Sequence, residues 1–447
     1  MPPTATLAGM LLDCGSGHTS IIWYEQKSDG AVRQTRRSKL KLPGGGNYKI
    51  TDSFDMSASG ASIAENGAGF AAALVAEIDE ADTLGVGPPD IVFVGATGGM
   101  RNMLNDGRIE QAAQLEFEAS LLHGLNPPSR CATKFSVITG EHEAAWELAA
   151  AHRIYSAVEM FGTTSTDGRF GLFSGGGSSM QAQASTGAPL SFPLSTWCGP
   201  DMDEALGAAE DAWKDPSGPF ARWESALLAK LEEAKQGTLQ GRRLSGCFVL
   251  TAMNHVAATA AGFAETTVSA ADAVARLKTA LAQFRSGVGE PYASFVLGKH
   301  AVHPTVLAWY SSQSPAHLAR VGAMHICRLA HALEHLFAPD ARLHAPAGTD
   351  RGGARLDCEW TLECFAREAA ALKTDKKTGG ASPTGRSGGV TRLPPLALLL
   401  RLLLCRRRTS GPVRTSGPVR TSGSSSSAHS GGSAHRTAQQ QQAPVVV

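Results

Sequence analysis

One pattern constrains this chain more than any other: an apolar strand, a short glycine-rich polar turn and a second strand, met twice. At its first occurrence Met10, Leu11 and Leu12 read as a buried strand, Asp13 to Thr19 as a tight turn, and Ser20 to Tyr24 as the returning strand. Gly15 and Gly17 allow close approach of backbone to a ligand, and Ser16, His18 and Thr19 add side-chain donors. Successive N–H groups in such a turn form a concave anion site. Asp13 would repel phosphate there unless a cation lay between them, so the pairing points to metal–phosphate chemistry. The second occurrence runs from Phe170 to Phe173, through the turn Ser174–Ser179, to a strand at Met180–Ala184. Two such loops predict a duplicated α/β domain with ligand held between the halves. The alternative reading is two hairpin turns that use Gly and Ser for their conformational freedom alone.

Between these motifs the chain alternates strand and helix. Ala31–Leu42 is expected to add a third antiparallel strand after the Ser28–Gly30 turn. Ser57–Asp82 carries a helical stripe at Ile63, Phe70, Leu74 and Ile78, and Arg108–Leu122 a further amphipathic helix. The run Ile91–Ala96 suits a buried strand and opens into Thr97–Arg101 (TGGMR), read as a second glycine turn. A new block is expected to begin at Phe135, where a strand leads to Glu141, His142 and Glu143 at the head of an Ala-rich helix. Helices are predicted at Met202–Trp213, Ala221–Gln236, Thr267–Arg285, Ala316–Phe337 and Trp360–Leu372, and Cys247–Phe263 reads as core.

Among 447 residues, Lys and Arg total 41 against 40 Asp and Glu, so no overall basic field argues for nucleic acid and phosphate must be held locally. The 8 cysteines lack CxxC pairs or zinc spacing, and most read as buried thiols; Cys358 and Cys364 are close enough in sequence to pair. His331 and His335 stand i, i+4 near His325, but satisfied helical histidines are the expectation rather than zinc ligands. From Thr374 the composition turns to Gly, Ser, Pro, Arg and Gln with a repeated TSGPVR unit, which predicts a disordered tail. Leu393–Cys405 is too short to span a membrane and contains Arg401; a weak surface association helped by Arg406–Arg408 is the other reading of that segment. No export signal is read at the N-terminus.

In order and spacing these residues resemble the apyrases, the nucleoside di- and triphosphate phosphohydrolases that include Golgi nucleoside diphosphatases and ecto-apyrases. The first signature of that family matches Asp13, Gly15, Ser16, His18 and Thr19; the second matches Ala96, Thr97, Gly99, Met100 and Arg101. The third matches Thr139, Gly140 and Glu143, with Ala144 where the family has Gly; the fourth matches Gly176, Gly177, Ser179 and Gln181. Cys247–Phe263 loosely echoes the fifth, and Trp360–Leu362 the W-x-L near the family's last helix. The likeness spans about Leu7 to Leu372.

The resemblance implies an α/β chain of two RNase H-like (actin-like ATPase) domains of the actin/hexokinase superfamily, with the active site in the cleft between them. Its domains would be 5–130, completed by 355–373, and 131–354, followed by a tail over 374–447. It implies Ca²⁺ or Mg²⁺ as cofactor, held by Asp13 through water, and Glu143 as the base that activates water. Phosphate would lie against Gly15, Ser16, Gly17, His18, Thr19, Thr97, Arg101, Gly176, Gly177, Ser178, Ser179 and Gln181. The substrates implied are nucleoside di- and triphosphates; the chain's own charge balance argues against nucleic acid, and no transmembrane span is evident in it. The family works in the secretory lumen or outside the cell, while the base preferred and the oligomeric state are not readable.

One departure bears on chemistry: the metal-organising Asp of the fourth signature is replaced by Ser174 on one alignment and Phe173 on the other. A hydroxyl accepts a hydrogen bond from a metal water more weakly than a carboxylate does. The competing readings are therefore a slow or inactive nucleotide-binding protein and an exopolyphosphatase-like phosphatase, whose third loop also reads S-G-x-E-E-A. The sequence GATGGMR favours the apyrase side. Trp309 and Tyr310 are candidates to stack on a base, with core packing the alternative.

Overall fold

Every residue of Ile91–Ala96 is buried, and the strand it forms shows why the fold has layers. In the computed structural model, described here over residues 7–15, 17–41, 46–54, 60–125, 131–162, 169–176, 179–193, 218–286, 315–346, 350–351, 354–355 and 359–378, this strand is β4 of a five-stranded sheet. The others are β1 (Leu7–Cys14), β2 (Thr19–Gln26), β3 (Val32–Lys39) and β5 (Ala132–Val137), in the order β3-β2-β1-β4-β5. β1 to β3 form an antiparallel meander, whereas β4 lies parallel to β1 and β5 parallel to β4. Parallel strands need a crossover, supplied by α1 (Ile63–Thr83), α2 (Gly98–Asn105) and α3 (Gln111–Gly124).

Alternate side chains of the central strands feed two cores. Met10, Leu12, Val92 and Val94 pack with Phe70, Leu74, Phe117 and Leu121 of α1 and α3. Leu11, Ile91 and Phe93 pack on the other face with Ala150 and Ile154 of α4 (Gly140–Ile154) and Trp360 and Phe365 of α10 (Trp360–Thr378). Ser62 starts α1 with a capping box, its Oγ accepting from Glu65 N while Glu65 Oε2 accepts from Ser62 N.

A second sheet repeats the plan. β6 (Gly171–Gly175), β7 (Ser179–Gln183) and β8 (Leu190–Pro193) form an antiparallel meander; β9 (Cys247–Ala252) lies parallel to β6, and β11 (Arg342–His344) parallel to β9. β10 (Thr267–Ser269) adds an antiparallel edge. One face is covered by α6 (Pro219–Gly237), α7 (Met253–Ala260), α8 (Ala270–Ser286) and α9 (Pro315–Leu336). The other face meets Leu148 and Ala151 of α4 together with α5 (Ala157–Phe161). α4 thus belongs to both cores. This doubling of one strand order is the two-sheet RNase H-like α/β architecture implied by the resemblance.

Three expectations are corrected. β5 does not open the second block: it completes the first sheet, whose strands therefore extend past residue 130 to Val137. Thr97–Arg101 is no loop, because Thr97 occupies the N-cap and Gly98 begins α2. α10 continues to Thr378, beyond the composition change at Thr374. The helix expected at Met202–Trp213, the rest of the tail, Trp309, Tyr310 and Cys358 lie outside the described residues. Cys14, Cys131, Cys327 and Cys364 form no disulfide among the described residues. No helix among the described residues is long and apolar enough to cross a membrane.

Candidate active site

The two hairpins that open the sheets are alike in detail. In the first, Cys14 pairs with Thr19 and the Gly15 N–H donates to His18 O at 3.1 Å. In the second, Gly175 pairs with Met180 and the Gly176 N–H donates to Ser179 O at 2.9 Å. Asp13 and Ser174 stand one residue before those closing pairs, and they pair with Gly95 and Thr251 on the neighbouring parallel strands. Of the two alignments of the fourth signature, this register selects Ser174 as the counterpart of the acid. Ser16, Gly177 and Ser178 lie outside the described residues; Gly15, Gly17, His18, Thr19, Gly176, Ser179 and Gln181 hold their places in or beside the two turns.

Between the hairpins lies a hydrogen-bonded group drawn from both halves. Thr97, at the end of β4, does not cap α2; its Oγ1 donates instead to Asp13 Oδ1 at 3.1 Å. From the first turn of that helix Arg101 reaches across: Nη1 donates to Ile138 O at 2.7 Å and to Glu143 Oε2 at 3.1 Å, and Nη2 donates to Ser179 Oγ at 3.0 Å. Glu143 Oε2 also accepts from Gln181 Nε2 at 3.1 Å. Thr139 caps α4 by accepting from His142 N, which presents Glu143 one turn into the helix, where the dipole favours an anion.

The helix can approach β8 this closely because residue 140 is glycine: a Cβ there would run into Ser191. Gly95 has a similar reason, since its Cβ would occupy the ring of Trp360, beside Asp13. Arg328, fully buried on α9, fixes the second turn from behind, its Nη1 donating to Gly176 O at 2.6 Å.

The electrostatics are those of crowded carboxylates. Burial, and then the negative charge of Glu143, pushes Asp13 up to about 6, against the Thr97 hydrogen bond that lowers it. Burial raises Glu143 while the Arg101 guanidinium pulls it back. A third acid, Glu147, lies one turn further along α4, is 7% exposed, and is raised well above the usual carboxylate range by burial and by Glu143. The Ser174 hydroxyl, hydrogen-bonded to Glu147, opposes that rise.

Around the first turn the charge is positive. His18 is lowered to about 4 by burial and by Lys39, Arg37 and Lys41, so its imidazole is neutral at pH 7. Buried acids that repel one another, close to a turn with positive charge around it, suit a hard divalent cation bound together with a polyanion. The oxygen-only donors Asp13, Glu143 and Glu147 fit Mg²⁺ or Ca²⁺ rather than a thiophilic metal.

Glu147, Arg328 and the basic edge Arg37–Lys41 were missed by motif reasoning. The alternating basic residues of β3 were a visible signal for the last; Glu147 has none, because it reads as a solvent-facing helix residue.

No family model and no curated protein matches this sequence. Solved structures do. A Ppx/GppA family member from Aquifex aeolicus shares 13% identity over 82% of this chain and 99% of that one, with a TM-score of 0.49. An exopolyphosphatase from Cytophaga hutchinsonii shares 11% over 81% and 98%, with a TM-score of 0.43. For nucleoside triphosphate hydrolases from Neospora caninum the values are 11%, 83% and 93%, with a TM-score of 0.46. Likeness of this degree carries no inference about activity.

Proposed function

We propose that this chain is a divalent-cation-dependent phosphoanhydride hydrolase that removes the terminal phosphate of nucleoside tri- and diphosphates. The observation that carries the reading is the meeting of Arg101 of α2 and Glu143 of α4 with Ser179 and Gln181 of β7, beside the Asp13–Thr97 pair. We read the two sheets as two domains of one hydrolase, with α10 returned to the first.

Asp13 would hold Mg²⁺ or Ca²⁺ through water, and Glu147 would supply the carboxylate that Ser174 lacks. When bound, the cation neutralises charge on the phosphate oxygens. Phosphoryl transfer asks the protein mainly for positioning and charge stabilisation, and the residues here suit that demand. The N–H of Gly17 would meet phosphate oxygens at the first turn, because those of Gly15 and Gly176 close their own hairpins. Thr97 orients Asp13, and Gln181 orients Glu143.

Glu143 accepts the proton of the attacking water. Arg101, its partner in the substrate-free state, turns toward the incoming phosphate, which competes for the guanidinium through charge-assisted bonds. That release leaves Glu143 as the stronger base.

The Arg37, Lys39 and Lys41 edge beside the first turn favours a second reading, in which the substrate is a longer polyphosphate. Phosphate release from nucleoside tri- and diphosphates and from polyphosphate, by wild type and by Lys39→Gln, separates the two. If nucleotides are the substrates, Lys39→Gln changes their KM little and polyphosphate is hydrolysed slowly by both proteins. Polyphosphate hydrolysed faster than any nucleotide, and lost in the variant, would favour the second reading.

A further inference from the structure

Away from the carboxylate site, one side-chain cluster on the outer layer of the second sheet combines a thiol, an imidazole and a carboxylate. Cys327 and His331 stand one turn apart on α9, and Glu224 faces them from α6. Their donor atoms, Sγ, Nε2 and a carboxylate oxygen, all lie within 4.8 Å of one another. Cys327 Sγ is 3.3 Å from Glu224 Oε1, and His331 Nε2 is 2.7 Å from the same oxygen. Cys327 is fully buried, while His331 and Glu224 are 16% and 23% exposed at the side chain, so the cluster opens to solvent on one side only.

Glu224 lies 107 positions from His331 in the chain, so no spacing in the sequence joins these residues. We propose that Glu224, Cys327 and His331 form a zinc site that clasps α6 to α9, with water completing the coordination.

Five features support zinc over a hydrogen-bonded trio alone. Sulfur and imidazole nitrogen are the ligands zinc prefers, and a three-residue set with one open position is a known zinc arrangement. Tetrahedral bonds of about 2.0–2.3 Å separate their ligand atoms by roughly 3.3–3.7 Å, so these atoms need to part only slightly to admit the ion. Without metal, thiol and imidazole both direct a proton at one carboxylate oxygen, Glu224 Oε1. The buried His331 Nδ1 has no hydrogen-bond partner among the described residues and lies 4.0 Å from Glu334 Oε2, on the side where a metal-bound histidine usually meets a carboxylate. Arg285 Nη2, 3.3 Å from Glu224 Oε2, holds the other carboxylate oxygen and leaves Oε1 to the metal. Coordination would release the thiol proton to solvent and move the imidazole proton from Nε2 to Nδ1.

The test uses the full chain, stripped with chelator and held in excess Mg²⁺ to occupy the carboxylate site. It is titrated with Zn²⁺, and separately with Co²⁺ as a spectroscopic probe. The expected result is one Zn²⁺ per chain and a Co²⁺ complex with tetrahedral ligand-field bands and a thiolate charge-transfer band. Cys327→Ser should abolish the charge-transfer band. His331→Gln, a half-buried change that spares the helix, should weaken Zn²⁺ binding at least about tenfold, and Cys247→Ser should change nothing. Absence of stoichiometric zinc, or binding unaltered by His331→Gln, would overturn the proposal and leave the trio a hydrogen-bonded clasp.

Discussion

Arg101 and Glu143 form a buried ion pair, Nη1 to Oε2 at 3.1 Å, across the junction of the two halves. The pair neutralises the proposed base, and it ties α2 of the first half to Ser179 of the second through the same guanidinium. Removing the cation leaves Glu143 in the same buried surroundings without the charge that lowers its pKa. Arg101→Gln is therefore expected to move the acid limb of the pH–rate profile to higher pH and to cut kcat by more than tenfold. A profile measured on the two proteins checks this; an unmoved limb would mean that Glu143 does not set it.

Metal-free stability should fall as the pH rises. Asp13 binds its proton more tightly in the fold, where its pKa is about 6, than in the unfolded chain, where 3.8 is the ordinary value. Between those values the folded state holds the proton that the unfolded state has lost, so folding is penalised progressively from about pH 4 and fully above about pH 6. The effect is on the order of 2–3 kcal/mol. Thermal melts across that range should show it, and Asp13→Asn should flatten the curve. Mg²⁺ should stabilise the wild type more at pH 7.5 than at pH 5.

Glu147 tests the carboxylate that no motif contains. Glu147→Gln replaces a poorly solvated buried acid with a neutral amide and should raise the metal-free Tm while weakening cation dependence about tenfold. Ser174→Asp in that background returns a carboxylate to the position equivalent to Asp13 and should recover most of the loss. Mg²⁺ titrations of phosphate release on the three proteins measure it. Unchanged cation dependence in Glu147→Gln would show that this acid serves packing alone.

Gly140 is the point where α4 touches the second sheet. Gly140→Ala drives a methyl group into Ser191, which should cost roughly 1–3 kcal/mol and displace Glu143 from Gln181. Ser191→Gly in the same chain should restore both stability and rate. Chemical denaturation of the single and double variants decides it.

What could be read from sequence follows the range of the interactions. The β1–β2 hairpin was legible because its strands, turn and pairing are all local. β4 was legible because a wholly apolar six-residue run suits a strand covered on both faces. β5 reads as the start of a new block because parallel pairing is non-local, and nothing in residues 132–137 names β4 as the partner. TGGMR reads as a turn because two glycines weaken a helix, yet the burial of Met100 in the first core outweighs that cost. Individual site residues stood out by motif, but their contacts did not: Glu143 meets Arg101 and Gln181 from 42 and 38 positions away. The zinc cluster escaped for the same reason.

The most direct measurement is phosphate release from nucleoside di- and triphosphates by wild type and Glu143→Gln, each with Mg²⁺, with Ca²⁺ and with chelator. Wild type should release phosphate only with a cation, and the variant should lose about two to four orders of magnitude in kcat while still binding nucleotide. Equal rates in the two proteins, or release that persists in chelator, would contradict the account.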